Sequence, residues 1–236
     1  VTATLPGALL VVLWWRRGRL EWRRDVLPLV PFVVVGAGMG LLSTWWELEY
    51  NRCFGPEFHL SGLQRVLLAG RAAWFHAGKL VWPVDLAFFY PRWELDPAVA
   101  WQYAFPLAAL ALLAGLWALR RRTRGPLAAA LFFGGTLFPT LGFFNLYTFR
   151  YTFVANHYQY LASLGILAAL AAGAARRWGR RAARGRRAGL AAAVALLALL
   201  GFLSWRQCHR YADLETLYRT TLAENPACWM AHTNLG

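Results

Sequence analysis

An all-α, polytopic membrane bundle is the fold this sequence predicts, and three observations predict it. The 236 residues are 58% hydrophobic and only 15% charged, where a soluble domain is nearer half apolar and a quarter charged. The apolar residues fall in long blocks rather than in an alternating or short-period pattern. Short arginine clusters separate the blocks, as loops do between membrane spans.

The net charge of +14 raises nucleic acid as a partner, and its distribution argues against it. The basic residues stand between apolar runs, where the positive-inside rule puts them and where anionic lipid is their natural neighbour. No nucleic-acid partner is expected. The chain opens without Met on an apolar run of about 15 residues, roughly 22 Å of helix against a hydrocarbon core of about 30 Å. Neither a basic stretch before that run nor a small-residue cleavage site after it is present, so it does not read as a secretory signal. The expectation is a fragment, cut within a helix at each end.

About six spans follow, filling a transmembrane domain over residues 1–205. The first partial helix reaches Trp15, and the link after it holds Arg16, Arg17, Arg19, Arg23 and Arg24. A second span covers 26–44, with Gly36 and Gly40 spaced for close helix contact. The loop after it carries Glu47, Glu49 and Glu57 against Arg52 and reads as external. Residues 98–119 form an apolar run, then comes the cluster Arg120, Arg121, Arg122, Arg124. Residues 126–146 form another, with Gly134, Gly135 and Pro139 permitting a kink. A span over 160–175 precedes the largest cluster, Arg176 to Arg187, and a last span covers 188–205.

The stretch 61–93 does not fit that series. If all three arginine clusters are cytoplasmic, the second span exits and the 98–119 span enters, so 61–93 must begin and end outside. An amphipathic helix over 61–82, ended by Pro83, would lie in the external interface. A re-entrant hairpin returning through 84–90 is the other solution. The stretch carries Arg65, Arg71, His76 and Lys79, the last being the only lysine in the chain. At about 100° per residue Arg65, His76 and Lys79 share one face about 60° wide, with Arg71 off to one side. Two readings stand side by side: cations snorkelling to lipid headgroups, and a cradle for a phosphate.

No Walker loop, GxGxxG, HExxH or GxSxG is present. The five histidines make no close pair with Cys or carboxylate at ligand spacing, so no metal site is expected. Cys208 and Cys228 both fall in external segments, where a disulfide between them is one option. Glu47, Glu49, Glu57, Asp85, Glu94 and Asp96 are external carboxylates, read either as loop and cap residues or as general bases. In residues 151–165 Asn156, His157 and Gln159 sit where a helix enters the membrane. They read either as interfacial structure or as lining of a substrate cavity.

Residues 206–236 leave the membrane. A helical pattern through Leu214, Leu217, Tyr218 and Leu222 breaks at Asn225-Pro226, and Pro226, Ala231, Leu235 and Gly236 fit the register of a tetratricopeptide repeat. His232 stands where that pattern has Trp.

LQRVLLAGRAAWFHAGKLVWPVDLAFFYPRW, then FVANHYQYLASLG, then NPACWMAHTNLG resemble the bacterial relatives of the transmembrane and tetratricopeptide-repeat O-mannosyltransferases, within the GT-C class of membrane glycosyltransferases. The resemblance covers nearly the whole chain. It implies the C-terminal half of a membrane domain and the start of a repeat array on the periplasmic side of a bacterial inner membrane. It implies transfer of a sugar from a polyprenyl-phosphate carrier, the donor, to a protein or glycan acceptor, with no cofactor identified. The acidic residue that acts as base would lie upstream of Val1, so the fragment alone is expected to be inactive. Arg65, Arg71, His76 and Lys79 would compensate the carrier phosphate, and Arg150, Asn156, His157 and Tyr158 would line the cavity. Asn156 stands where the family pattern carries Asp, which keeps hydrogen bonding and removes the charge. The alternatives are a non-catalytic repeat scaffold that binds protein partners and a polysaccharide ligase or polymerase.

Overall fold

A computed structural model describes residues 2–51, 53, 55, 58–179 and 183–236. Among them there is no strand, and the architecture is all-α. The helices are α1 (Leu5–Arg17), α2 (Val30–Glu49), α3 (Gly62–Val81), α4 (Ala104–Leu119), α5 (Gly125–Leu137), α6 (Tyr160–Gly179), α7 (Ala183–Cys208), α8 (Leu214–Glu224) and α9 (Trp229–Leu235). Arg52, Glu57, Arg180 and Arg181, all part of the sequence argument, lie outside the described residues.

Among the described residues, four helical segments are long and apolar enough to cross a membrane: Trp22–Glu49, Ala100–Leu119, Asn156–Gly179 and Gly185–Tyr211. Their side chains are scarcely covered by protein. No residue of α2 or α4 is buried, and Phe32, Val34, Leu41, Leu107, Leu110, Leu190 and Leu197 are all exposed. Apolar side chains left open along whole helices need an apolar solvent, and lipid is one. This is the pattern of an integral membrane protein. The four segments correspond to the 26–44, 98–119, 160–175 and 188–205 spans; of the other two expected, the partial first helix is α1 with 13 residues, and the 126–146 run holds α5, also with 13, or roughly 20 Å of helix. The 126–146 run is not one helix, because Pro139 falls in a short 3-10 turn after α5 and Gly142 then reverses the chain at φ +107°.

The core lies at one end of the bundle. Ala69 and Ala72 of α3, Ala87 and Tyr90 of the following loop, Phe133 and Leu137 of α5, Val154 and Tyr158 of the segment leading into α6, and Ala162 of α6 form one buried cluster. Gly165 of α6 approaches Ala129 and Phe132 of α5, so these two helices run antiparallel. Two of the three arginine clusters meet at the opposite end. Gly18, which closes α1 with φ +82°, touches the Arg124 guanidinium, and Gly125 lies beside Trp15. There Asp25 is buried, paired with Arg17 and accepting from the Glu21 amide at 2.9 Å.

Helix α3 is the amphipathic one. Its start is a capping box: the Gln64 amide donates to Ser61 Oγ at 3.2 Å and the Ser61 amide to Gln64 Oε1 at 2.8 Å. It ends at Val81, before Pro83, where the sequence places the stop. It is not among the apolar spans. Its covered face, Leu67, Leu68, Ala69, Gly70, Ala72 and His76, packs on α4 and on the loops of the core end rather than facing a lipid surface. Gly70 permits the crossing with α4, since a Cβ there would stand 2.5 Å from the Pro106 nitrogen. In the predicted GxxxG pair a Cβ on Gly36 would stand 3.3 Å from the Ala3 backbone, while around Gly40 there is open space.

Gly70→Ala is therefore expected to lower the melting temperature in detergent by several degrees, a loss of about 1–3 kcal/mol from overpacking. Gly78→Ala on the same helix meets nothing within 4 Å and is expected to be neutral or mildly stabilising. Equal melting of the two variants would contradict the α3–α4 contact.

Candidate functional site

The segment after α3, residues 82–99, has no regular structure, yet its inner side is covered. Irregular backbone at such a place must find side-chain donors for its carbonyls, and it does. Lys79 Nζ donates to the Val84 carbonyl and, at 3.1 Å, to that of Asp85. Gln207 Nε2 and Arg210 Nη1 donate to the Leu86 carbonyl at 3.2 and 3.1 Å. Asn156 Nδ2 donates to Ala87 at 3.1 Å and Asn225 Nδ2 to Phe89 at 3.3 Å. The Tyr90 hydroxyl donates back to Asn156 Oδ1 at 2.8 Å. Asp85, at φ +50°, adopts the left-handed conformation within this segment.

These bonds decide what the charges of α3 do. Arg65 donates to the carbonyls of Gly142 (2.8 Å) and Phe143 (3.3 Å) and to Asn145 Oδ1 (2.9 Å), locking the turn after α5. The Arg71 guanidinium stacks on Trp93 at 4.3 Å and reaches Trp101 at 5.5 Å; burial lowers its pKa. Lys79 holds the 84–85 turn and lies 5.5 Å from the Phe75 and Tyr90 rings. Burial lowers its pKa too, against the pull of Asp85 and Glu224. The shared face found by helical angle is real, but its members are spread along the axis. Arg65 and Lys79 are 14 positions apart, about 21 Å at 1.5 Å per residue, so one phosphate cannot touch both.

His76 is wholly buried beside Phe75 and Tyr158, and neither ring nitrogen has a protein hydrogen-bond partner among the described residues. Burial, with a smaller contribution from the nearby His157, lowers its pKa to about 4. It is a neutral core residue. Of the four residues expected in the cavity, Asn156 ties the 87–90 loop, Tyr158 is buried with its hydroxyl on Thr148 Oγ1, and His157 is exposed with its ring against Tyr158. Only Arg150 lines an open space.

That space is a cleft of about 560 Å³ lined by Pro91, Arg92, Arg150, Tyr151, Asn225, Ala227, Cys228 and Trp229. One wall comes from the loops of the core end and the other from the turn between α8 and α9. Arg92 lies 4.6 Å over the Phe153 ring, and Arg150 lies 5.8 Å from both Phe58 and Tyr147. Tyr151 bonds Tyr147 at 2.8 Å, and burial first, then that hydroxyl, pushes its pKa up to about 12. The tail is seated on this wall by Phe89, Tyr151, Cys228 and Ala231, with Tyr218, Leu222 and Met230 around them. Arg210 pairs with Glu224 across the base of the tail.

The cleft brings together a residue singled out in the sequence, Arg150, and two that sequence reasoning passed over, Arg92 and Trp229. The signal for Arg92 was present in the FFYPRW run, an arginine flanked by aromatics and proline in a segment already marked as external. The proposed Cys208–Cys228 disulfide does not form: Cys208 is an exposed free thiol and Cys228 a buried one under the cleft. Among the described residues no His, Cys, Asp or Glu group is placed to hold a metal. Glu47 is engaged structurally, accepting from Asn51, Cys53 and the Tyr147 amide at 3.1 Å each.

No family model, curated protein or solved structure matches this chain.

The neutral His76 gives a signed expectation. Its folded pKa lies below the value of about 6.5 of an unfolded histidine, so its contribution is complete above that pH. It is lost as pH falls from about 6.5 to about 4, because the unfolded chain takes up the proton first. Up to about 3 kcal/mol is at stake. Melting at pH 7.5 and pH 5 should show less of this acid-side loss in His76→Phe than in wild type; identical pH profiles would contradict it.

Proposed function

We propose that this chain is part of a membrane glycosyltransferase that takes a sugar from a polyprenyl-phosphate carrier at the membrane face opposite the arginine clusters. The observation that carries this reading is the cleft at the core end with Arg92 and Arg150 on its wall. Guanidiniums suit a phosphodiester or phosphate because each offers two or more donors in one plane. A cleft beside apolar helices left open to lipid suits a carrier whose tail stays in the bilayer while its head leaves it. The resemblance of 63–93 and 153–165 to the repeat-bearing O-mannosyltransferases supports the same reaction. On the positive-inside rule the arginine end is cytoplasmic and the cleft faces the periplasm of a bacterial inner membrane.

In this reading Arg92 and Arg150 bind the carrier phosphate, and Arg65, Arg71 and Lys79 hold the loops that present them. The acceptor is a protein or a glycan. A repeat scaffold that binds a protein partner is the second reading, favoured by the α8–α9 helix pair, and the same experiment separates the two.

Binding of a short-chain prenyl phosphate to the protein in lipid nanodiscs is the test. Arg92→Gln and Arg150→Gln should each weaken it by about tenfold or more, the scale of a lost charge-assisted hydrogen bond. Arg120→Gln, at the other end, should leave it unchanged. Wild-type affinity in both cleft variants, with melting temperatures preserved, would remove the reading and leave the scaffold.

A further inference from the structure

Helix α3 runs down beside α4. Near its start Gln64 Nε2 donates to the Leu95 carbonyl at 2.8 Å. Further along, the Arg71 guanidinium lies 5.5 Å from the Trp101 ring, and Trp74 Nε1 donates to the Phe105 carbonyl at 3.0 Å. As α3 advances its partners advance too, into the apolar segment Ala100–Leu119. The C-terminal end of α3 is therefore its deep end. The backbone after it fixes the level. The Leu86 carbonyl accepts from Gln207 and Arg210, at the end of the apolar segment Gly185–Tyr211. The Ala87 carbonyl accepts from Asn156, where the segment Asn156–Gly179 begins. Residues 81–88 thus stand level with the ends of two segments long and apolar enough to cross a membrane.

What this deep end presents outward is apolar. Helix α3 buries no residue after His76. Val81 and Trp82 are 72% and 71% exposed, and Val84 and Phe88 are exposed as well. On the inner side Lys79 ties the turn through the Val84 and Asp85 carbonyls. The apolar edge continues onto α7. The Phe88 ring lies 6.2 Å from that of Tyr211, and the exposed Trp205 stands one half-turn before Gln207. Earlier in α7 the exposed Leu197 and Phe202 belong to the face that lipid covers. Trp and Tyr at the end of a span are the composition of the headgroup boundary.

We propose that residues 81–88 form a membrane-seating edge. Val81, Trp82, Val84 and Phe88, with Trp205 and Tyr211 beside them, insert at the boundary between headgroups and acyl chains of the bilayer. Lipid is the occupant because the edge is continuous with the lipid-facing side of α7 and lies at its end. The exposed Arg206, next to Trp205, adds a cation at the height of lipid phosphates. Helix α3 then neither lies flat nor forms a hairpin: it inclines from a polar start at Ser61 to an inserted end at Trp82. The edge is independent of what the cleft binds.

Nitroxide labels at Val81→Cys and at Trp82→Cys, one at a time, test it. The background carries Cys208→Ser, since Cys208 is an exposed native thiol while Cys53 and Cys228 are buried, and the signal of the background protein is subtracted. The protein is reconstituted in liposomes of phosphatidylethanolamine and phosphatidylglycerol. Power-saturation EPR compares collisions with oxygen, which concentrates among acyl chains, against collisions with a water-soluble nickel chelate. Leu197→Cys on α7 is the lipid reference, and Arg219→Cys on α8 is the water reference. The oxygen-to-nickel ratio at 81 and 82 should be several-fold above the water reference and close to the lipid one. A ratio at either position no higher than that of Arg219→Cys overturns the edge. Low collision with both reagents overturns it too, because a second copy or another protein then covers the surface. Both side chains are exposed, so each variant should melt with the background protein, and where one fails to fold the other carries the test.

Discussion

Five backbone carbonyls between Val84 and Phe89 accept hydrogen bonds from the side chains of Lys79, Gln207, Arg210, Asn156 and Asn225. The segment has no helix or strand to satisfy its own polar groups, and it is pinned between membrane helices and a docked tail. Donors therefore come from α3, from α7 and the turn after it, from the entry to α6, and from the turn after α8. One loop thus couples the membrane bundle to the tail, and the cleft exists because that loop continues into Pro91 and Arg92 while the tail continues into Trp229. Each such bond contributes only about 1 kcal/mol net, but leaving a buried carbonyl unmade costs more. The arrangement is cooperative for that reason.

The rest of the molecule follows from a division of labour between two solvents. Helices α2, α4 and α7 bury almost nothing against protein and leave their side chains to lipid. Tight packing is confined to the end where chain segments are irregular and polar backbone has to be covered. There the core is aromatic and alanine-rich, with Phe149, Phe153, Phe58 and Leu68 under one part and Tyr90, Val154 and Tyr158 under another. At the arginine-rich end Arg17 pairs with Asp25, and Arg124 meets Gly18.

Much of the helical frame was legible in the sequence, because apolar blocks, arginine clusters and Pro83 are local signals. The α3 face was legible as well: angle alone put Arg65, His76 and Lys79 together. Angle says nothing about axial distance or about what the side chains meet, and those decided the outcome. Arg65 meets the carbonyl of Gly142, 77 positions away, and Lys79 meets carbonyls that its own helix stop exposes. His76 is buried against Phe75 and against Tyr158 of the turn before α6. The 126–146 run reads as one helix because hydropathy continues smoothly through Pro139 while the backbone turns there. Arg92 and Trp229 escaped notice since each stands alone in sequence, and only the docking of the tail makes them neighbours across one cleft.

Whether a carrier phosphate sits in that cleft is the central claim, and photo-crosslinking tests it most directly. A short-chain prenyl phosphate bearing a diazirine next to the phosphate would be irradiated with the protein in nanodiscs, and the labelled peptides read by mass spectrometry. The account predicts label on residues 91–93, 147–151 and 225–229, competed away by unmodified prenyl phosphate. Competed label on α3 between Arg65 and Lys79, or at the 16–24 and 120–124 arginines, with none on the cleft, would contradict it.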